Sequence, residues 1–163
     1  MKNFKLLKTA IVLLAVLVFS SCEDGEPIQF IVLDEVPTEI AVQGFEGLSE
    51  YATSSVADLS DLLDSATTFI EADVEKITLS LKDYSEESIT GTIKITVGGV
   101  DLINEDVTLS STAVSFTIPP VNSDILSSIN SGFMTITMEG TAVTPIADND
   151  FVIVVTPTVR GVI

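Results

Sequence analysis

Any chemistry in this chain must come from carboxylates, hydroxyls and one thiol. Its 163 residues include 24 Asp and Glu, no histidine, no tryptophan and a single cysteine, Cys22. Without histidine, Ser-His and Cys-His nucleophilic sites in their usual forms are excluded, because the nucleophile lacks its activating base. Histidine-containing zinc sites go with them. Gly98-Gly99 has neither the following helix nor the Lys-Ser/Thr pair that a phosphate cradle needs. Two well-spaced carboxyl groups would be enough for glycoside hydrolysis. Sugar-cleaving clefts generally add aromatic platforms, however, and the only tyrosines here are Tyr51 and Tyr84. The chain is therefore expected not to be an enzyme. Among cofactors, calcium is the metal the sequence suggests. Asp148-Asn149-Asp150 and Asn104-Glu105-Asp106 sit in expected turns and offer the oxygens a hard cation wants, with Asp148 and Asp150 as its ligands. The complete Asp-x-Asp-x-Asp-Gly loop is missing, and Asn and Asp also favour turns for local reasons.

The thiol has a different context. Lys2, Lys5 and Lys8 make a cationic start, Ala10 to Phe19 are unbroken apolar, and Ser20-Ser21 put two small side chains before Cys22. This is the layout of an export signal, and its apolar run is too short for a comfortable bilayer span. The stretch Leu17-Val18-Phe19-Ser20-Ser21-Cys22 resembles the lipobox of bacterial lipoproteins. Its Ser-Ser-Cys ending after Phe is similar to the variant common in Bacteroidota. The resemblance implies cleavage before Cys22, a diacylglyceryl thioether on its sulfur and, usually, an acylated amine. Such a head would anchor the chain stably to a membrane. Acidic residues directly after the cysteine, Glu23-Asp24-Gly25-Glu26-Pro27, resemble the surface-export signal of the same lipoproteins. The expected location is thus the outer membrane or cell surface, with the periplasmic face as the alternative. Asp64-Ser65-Ala66 resembles the O-glycan acceptor of Bacteroidota secreted proteins.

Processing would leave 142 residues and remove three of the seven Lys and Arg, for a formal charge of −20. That field repels nucleic acid and favours cations, basic partners and solubility. The length suits one domain, so residues 1–21 read as signal, 22–27 as acidic tether and 28–163 as a single folded unit.

The elements are β. Ile77, Leu79 and Leu81 alternate with polar residues, as do Ile93, Ile95 and Val97. A Gly98-Gly99 turn would set Val97 opposite Val100 and Ile95 opposite Leu102, all on one face. Val107 and Leu109, then Val114, Phe116 and Ile118, then Met134, Ile136 and Met138 continue the pattern. Pro119-Pro120 stops one strand, since neither proline can donate to a ladder. Phe151 to Val155 reads as a central strand, and Pro157 predicts an edge or bulge after it. Phe30 to Val36 and Ile40 to Phe45 read as early strands. Two strings, Ser60 to Ser65 and Ser123 to Ser128, each suggest a Ser-capped helical turn. The expected fold is all-β, an antiparallel sandwich of Greek-key or jelly-roll type with one or two short helical turns. The expected role is a lipid-anchored, non-catalytic module that binds a protein or glycan partner. The alternative is an accessory subunit of an envelope complex.

Overall fold

The computed structural model describes residues 30–33, 37–60, 68–120 and 124–163. Cys22, the tether, the acceptor triplet at Asp64 and most of the first helical string lie outside them. Among the described residues nine strands form: β1 (Phe30–Leu33), β2 (Thr38–Gln43), β3 (Glu50–Asp58), β4 (Glu71–Lys82), β5 (Ser88–Val97), β6 (Val100–Ser110), β7 (Val114–Thr117), β8 (Phe133–Ala142) and β9 (Asp150–Val162). A short helix, α1 (Leu126–Ser131), precedes β8.

The strands make two antiparallel sheets. In one, β9 is flanked by β4 on one side and by β1 and β2 in succession on the other, with β7 outside β4. The other has the order β3-β8-β5-β6. The pairs β2·β9, β3·β8, β4·β7 and β5·β6 are nested about the Gly98-Gly99 turn. The chain is thus one long hairpin rolled into a two-sheet jelly roll. Its tip is that turn, where both glycines have positive φ, 57° and 89°, as a two-residue primed turn requires. Inward side chains of both sheets, among them Ile40, Ile77, Leu79, Ile93, Met138 and Ile153, form one core. Each such burial contributes about 2 kcal/mol.

Three expectations change. Val97 does face Val100, but Ile95 pairs with Ile103, because a bulge beside Ile95/Thr96 leaves Leu102 as the additional residue. The sequence explains it: Val100 and Leu102 have one parity, Ile103, Val107 and Leu109 the other. Only an inserted residue lets both sets face inward. Second, the segment after Pro157 is not an edge. β9 continues to Val162 between β4 and β1, and Pro157 pairs with Ile77. On its other side, among the described residues, the β2 pairing ends at Val155 and the β1 pairing begins at Val159. A bulge is present, but in β4, between Val74 and Lys76. Third, Asn104-Glu105-Asp106 lies within β6 and is not a turn.

The second helical string yields a helix displaced toward its C-terminal side. Leu126 N–H donates to Asp124 Oδ1 at 3.1 Å, and Ser123 lies outside the described residues. Gly132, with φ 77°, ends the helix by donating its N–H to the Ile129 carbonyl. Ile129 is fully buried, so the turn plugs one end of the sandwich as an apolar cap.

Candidate functional site

Alternation that buries one row of each strand displays the other. On β8 the displayed row includes Thr135, Thr137, Glu139 and Thr141, and on β5 it is Thr90, Thr92, Lys94 and Thr96. Cross-strand pairing puts Thr141 beside Thr92 and Glu139 beside Lys94. β6 adds Asp106 opposite Thr92 and Asp101 opposite Thr96, while β3 adds Glu50 opposite Thr141. The outer face of the four-stranded sheet is therefore a grid of short hydroxyls and carboxylates around one lysine.

Much of the grid is held in place. Thr92 Oγ1 donates to Asp106 Oδ1 at 2.7 Å, and Thr96 Oγ1 donates to Asp101 Oδ1 at 2.7 Å. Asp101 Oδ2 takes Lys94 Nζ at 3.0 Å, and the hydroxyls of Thr90 and Thr108 share a hydrogen at 2.9 Å. The Thr96 hydroxyl, with Lys94 second, holds the Asp101 carboxyl below its ordinary range. The Asp101 hydrogen bond, and then its charge, raise Lys94. Both groups stay ionised across the physiological range.

Two adjoining hollows cross this face. One, of about 360 Å³, is lined by Glu50, Thr92, Lys94, Glu139, Gly140 and Thr141. The other, of about 270 Å³, shares Thr92 and Thr141 and reaches Asp106 and Val143. Two glycines lie along this shallow groove. A Cβ on Gly91 would collide with the Thr141 carbonyl, so only glycine lets β5 and β8 approach this closely. A Cβ on Gly140 would strike the ring of Tyr51, which lies directly across the β3–β8 ladder. Tyr51 is buried, and burial pushes its phenol up to about 12. The groove thus has a packed aromatic beneath it. Chemically it offers carboxylate acceptors, hydroxyls of either sense and one ammonium donor, a set suited to binding.

The residues singled out from the sequence lie elsewhere. Cys22 is outside the described residues. Asp148 accepts the Ser85 N–H across two loops, and Asp150 begins β9 opposite Gln43. Among the described residues no three His, Cys, Asp or Glu side chains gather as a metal site would require. None of their helices is long and apolar enough to cross a membrane. The groove was missed because its residues are scattered over four strands. The alternating threonines of 90–96 and 135–141 were its one sequence signal.

No family model matches the sequence, and no curated protein matches it. Among solved structures, the chain is similar to the Desmodium yellow mottle tymovirus structure, with 10% identity and a TM-score of 0.40, over 88% of this chain and 93% of that one. Turnip yellow mosaic virus gives 13% identity and 0.39, over 91% and 88%. The CBM36-1 domain of a multidomain xylanase from the hindgut metagenome of Trinervitermes trinervoides gives 18% identity and 0.30, over 74% of each chain.

Proposed function

We propose that the protein is a non-catalytic binding module, held at the cell envelope by a lipid on Cys22, whose outer four-stranded face takes a neutral, hydroxyl-rich ligand such as a glycan. The observation that carries the reading is the groove from Glu50 to Asp106. Its hydroxyls and carboxylates are set at strand spacing, and several are fixed before any ligand arrives. Preorganised polar groups lose little conformational entropy on binding. Sugar hydroxyls pair equally with carboxylates, threonines and an ammonium group. The surrounding carboxylates disfavour acidic glycans.

Calorimetric titration with neutral oligosaccharides tests the site. Binding that is lost in the paired variant Lys94→Ala with Thr141→Ala, which leaves the fold intact, supports it. Undiminished binding by that variant removes the groove from consideration. The anchor is tested separately by intact mass: the cell-derived protein should start at Cys22 and carry the diacylglyceryl adduct.

The accessory-subunit reading has its own support in the outer face of the five-stranded sheet. Val152 and Val154 lie half-buried in the middle of that face, beside the ion pair Lys82–Glu39 at 2.7 Å. An apolar centre with a charged rim is the anatomy of a protein interface. Pull-down of the lipidated protein should then retain an envelope partner, and a Val154→Asp variant should release it.

A further inference from the structure

The two ends of the jelly roll differ in a way that fixes how the domain would stand on a membrane. At one end three loops interlock. Gly47 and Leu48 exchange backbone hydrogen bonds with Ile146, Gly44 bonds Asn149, and the Tyr84 hydroxyl accepts the Ala147 N–H. This end carries Glu46, Asp83, Glu86, Glu87, Asp148 and Asp150. At the other end lie the start of β1, the close of β9, the first residues of β4 and β8, and α1. They are joined by Ile70 N–H to the Val162 carbonyl, Leu59 N–H to the Gly132 carbonyl, and both polar atoms of the Asn130 amide to the Phe69 backbone. Ile70 is 65% exposed there, Phe133 53% and Ile163 36%, with Asp58, Glu71, Asp73 and Asp124 as the nearby carboxylates among the described residues.

Phe30 enters at this same apolar end, since it pairs with Val162. Only seven residues separate it from Cys22, and eight Cα steps reach at most about 29 Å. Resting on the anchor reading above, we infer that the end formed by Ile70, Phe133 and Ile163 docks against the headgroup–acyl boundary of the bilayer that holds Cys22. The loop end then points away. The tether is too short to carry the domain far from the bilayer, and the exposed apolar side chains gain by leaving water. Leu48 and Val143 are also exposed, but they lie at the loop end among its carboxylates. The groove at Thr141 is eight residues along β8 from Phe133, roughly 27 Å farther from the membrane at strand rise, which leaves it open to a ligand.

The chain has no tryptophan, so one introduced indole reports its own depth. Full-length chains carrying Phe133→Trp, Ile70→Trp or, at the loop end, Val143→Trp are produced in a lipoprotein-processing host. They are then reconstituted into phosphatidylcholine vesicles with brominated acyl chains. Phe133→Trp and Ile70→Trp should lose roughly half their emission to bromine and shift to the blue, while Val143→Trp should lose less than a tenth of its own. All three sites are exposed, and circular dichroism of each variant confirms folding. Equal quenching at both ends, or stronger quenching of Val143→Trp, overturns the inference. Intact mass of the same samples decides the anchor: no lipid on Cys22 defeats that reading and the inference with it, whereas lipid without end-selective quenching defeats the inference alone.

Discussion

On the outer face of the four-stranded sheet, Lys94 stands against Glu50, Asp58, Asp101, Asp106 and Glu139. On the outer face of the five-stranded sheet stand Lys76, Lys82 and Arg160, the three other cations found after residue 21. Two are matched to carboxylates, Lys82 to Glu39 and Arg160 to Glu75 at 3.7 Å. The first face is hollowed along two glycines and left electrically lopsided. The second has Val152 and Val154 at its middle, with two of its three cations in ion pairs. Both arise from the same two-residue period, which decides only which row points outward. What a face can do is then set by where side chains are omitted and whether its charges are matched.

Destroying the hollowed face should have the largest effect. Gly91→Ala drives a Cβ into the Thr141 carbonyl, and backbone cannot step aside as a side chain can. A loss of about 3 kcal/mol is expected in urea unfolding, together with loss of ligand binding. Gly161→Ala meets only the Phe69 ring and should cost about half as much. If the two variants unfold alike, the backbone approach is not what distinguishes the sheets.

Next comes alkali. The buried Tyr51 phenol titrates at about 12 when folded and near 10 when unfolded. Its contribution is therefore complete below pH 10 and is lost as pH rises toward 12. A gap of this size corresponds to about 2–3 kcal/mol. Tyr51→Phe should flatten the fall in stability between pH 10 and 12, measured by chemical unfolding. An unchanged slope would place the cause elsewhere.

Charge changes should sharpen the contrast at smaller cost. Glu139→Gln should alter ligand affinity while shifting stability by less than about 0.5 kcal/mol, and Val152→Thr should leave ligand affinity as it is. The smallest expected effect is at Asp101. Its lowered carboxyl contributes above the ordinary carboxylate range, and that contribution disappears only as pH falls through the lower folded value. Asp101→Asn should remove this fully exposed contribution, with a barely measurable change in melting temperature near neutral pH and a slightly gentler acid transition.

The sandwich was legible because its inward rows are strongly apolar and alternating. Ile93-Ile95-Val97 and Met134-Ile136-Met138 announce their strands without help. β3 escaped notice: between Tyr51 and Ala57 its row runs through Thr53 and Ser55, which carry little hydrophobic signal. It is a strand because β8 supplies a partner for all nine of its residues. Pro157 misled for a related reason. A proline marks a missing donor, and only the tertiary arrangement reveals that its strand runs on past it with β4 on one side and β1 on the other. The candidate groove was less legible still, since Glu50, Thr92 and Thr141 become neighbours only when distant parts of the rolled hairpin meet. No local periodicity encodes that.

The nested pairing also bears on how the module would carry load. Under the proposed anchorage, a pull enters along β1 at Phe30 and leaves through a ligand held near Thr141, toward the opposite end. The force then runs along the strand axes, and the hydrogen bonds joining β1 and β2 to β9 lie across it. Bonds arranged this way share tension and must yield together, whereas a hairpin peeled from its tip gives way one pair at a time. Held at one end and tugged at the other, the rolled hairpin is a lap joint.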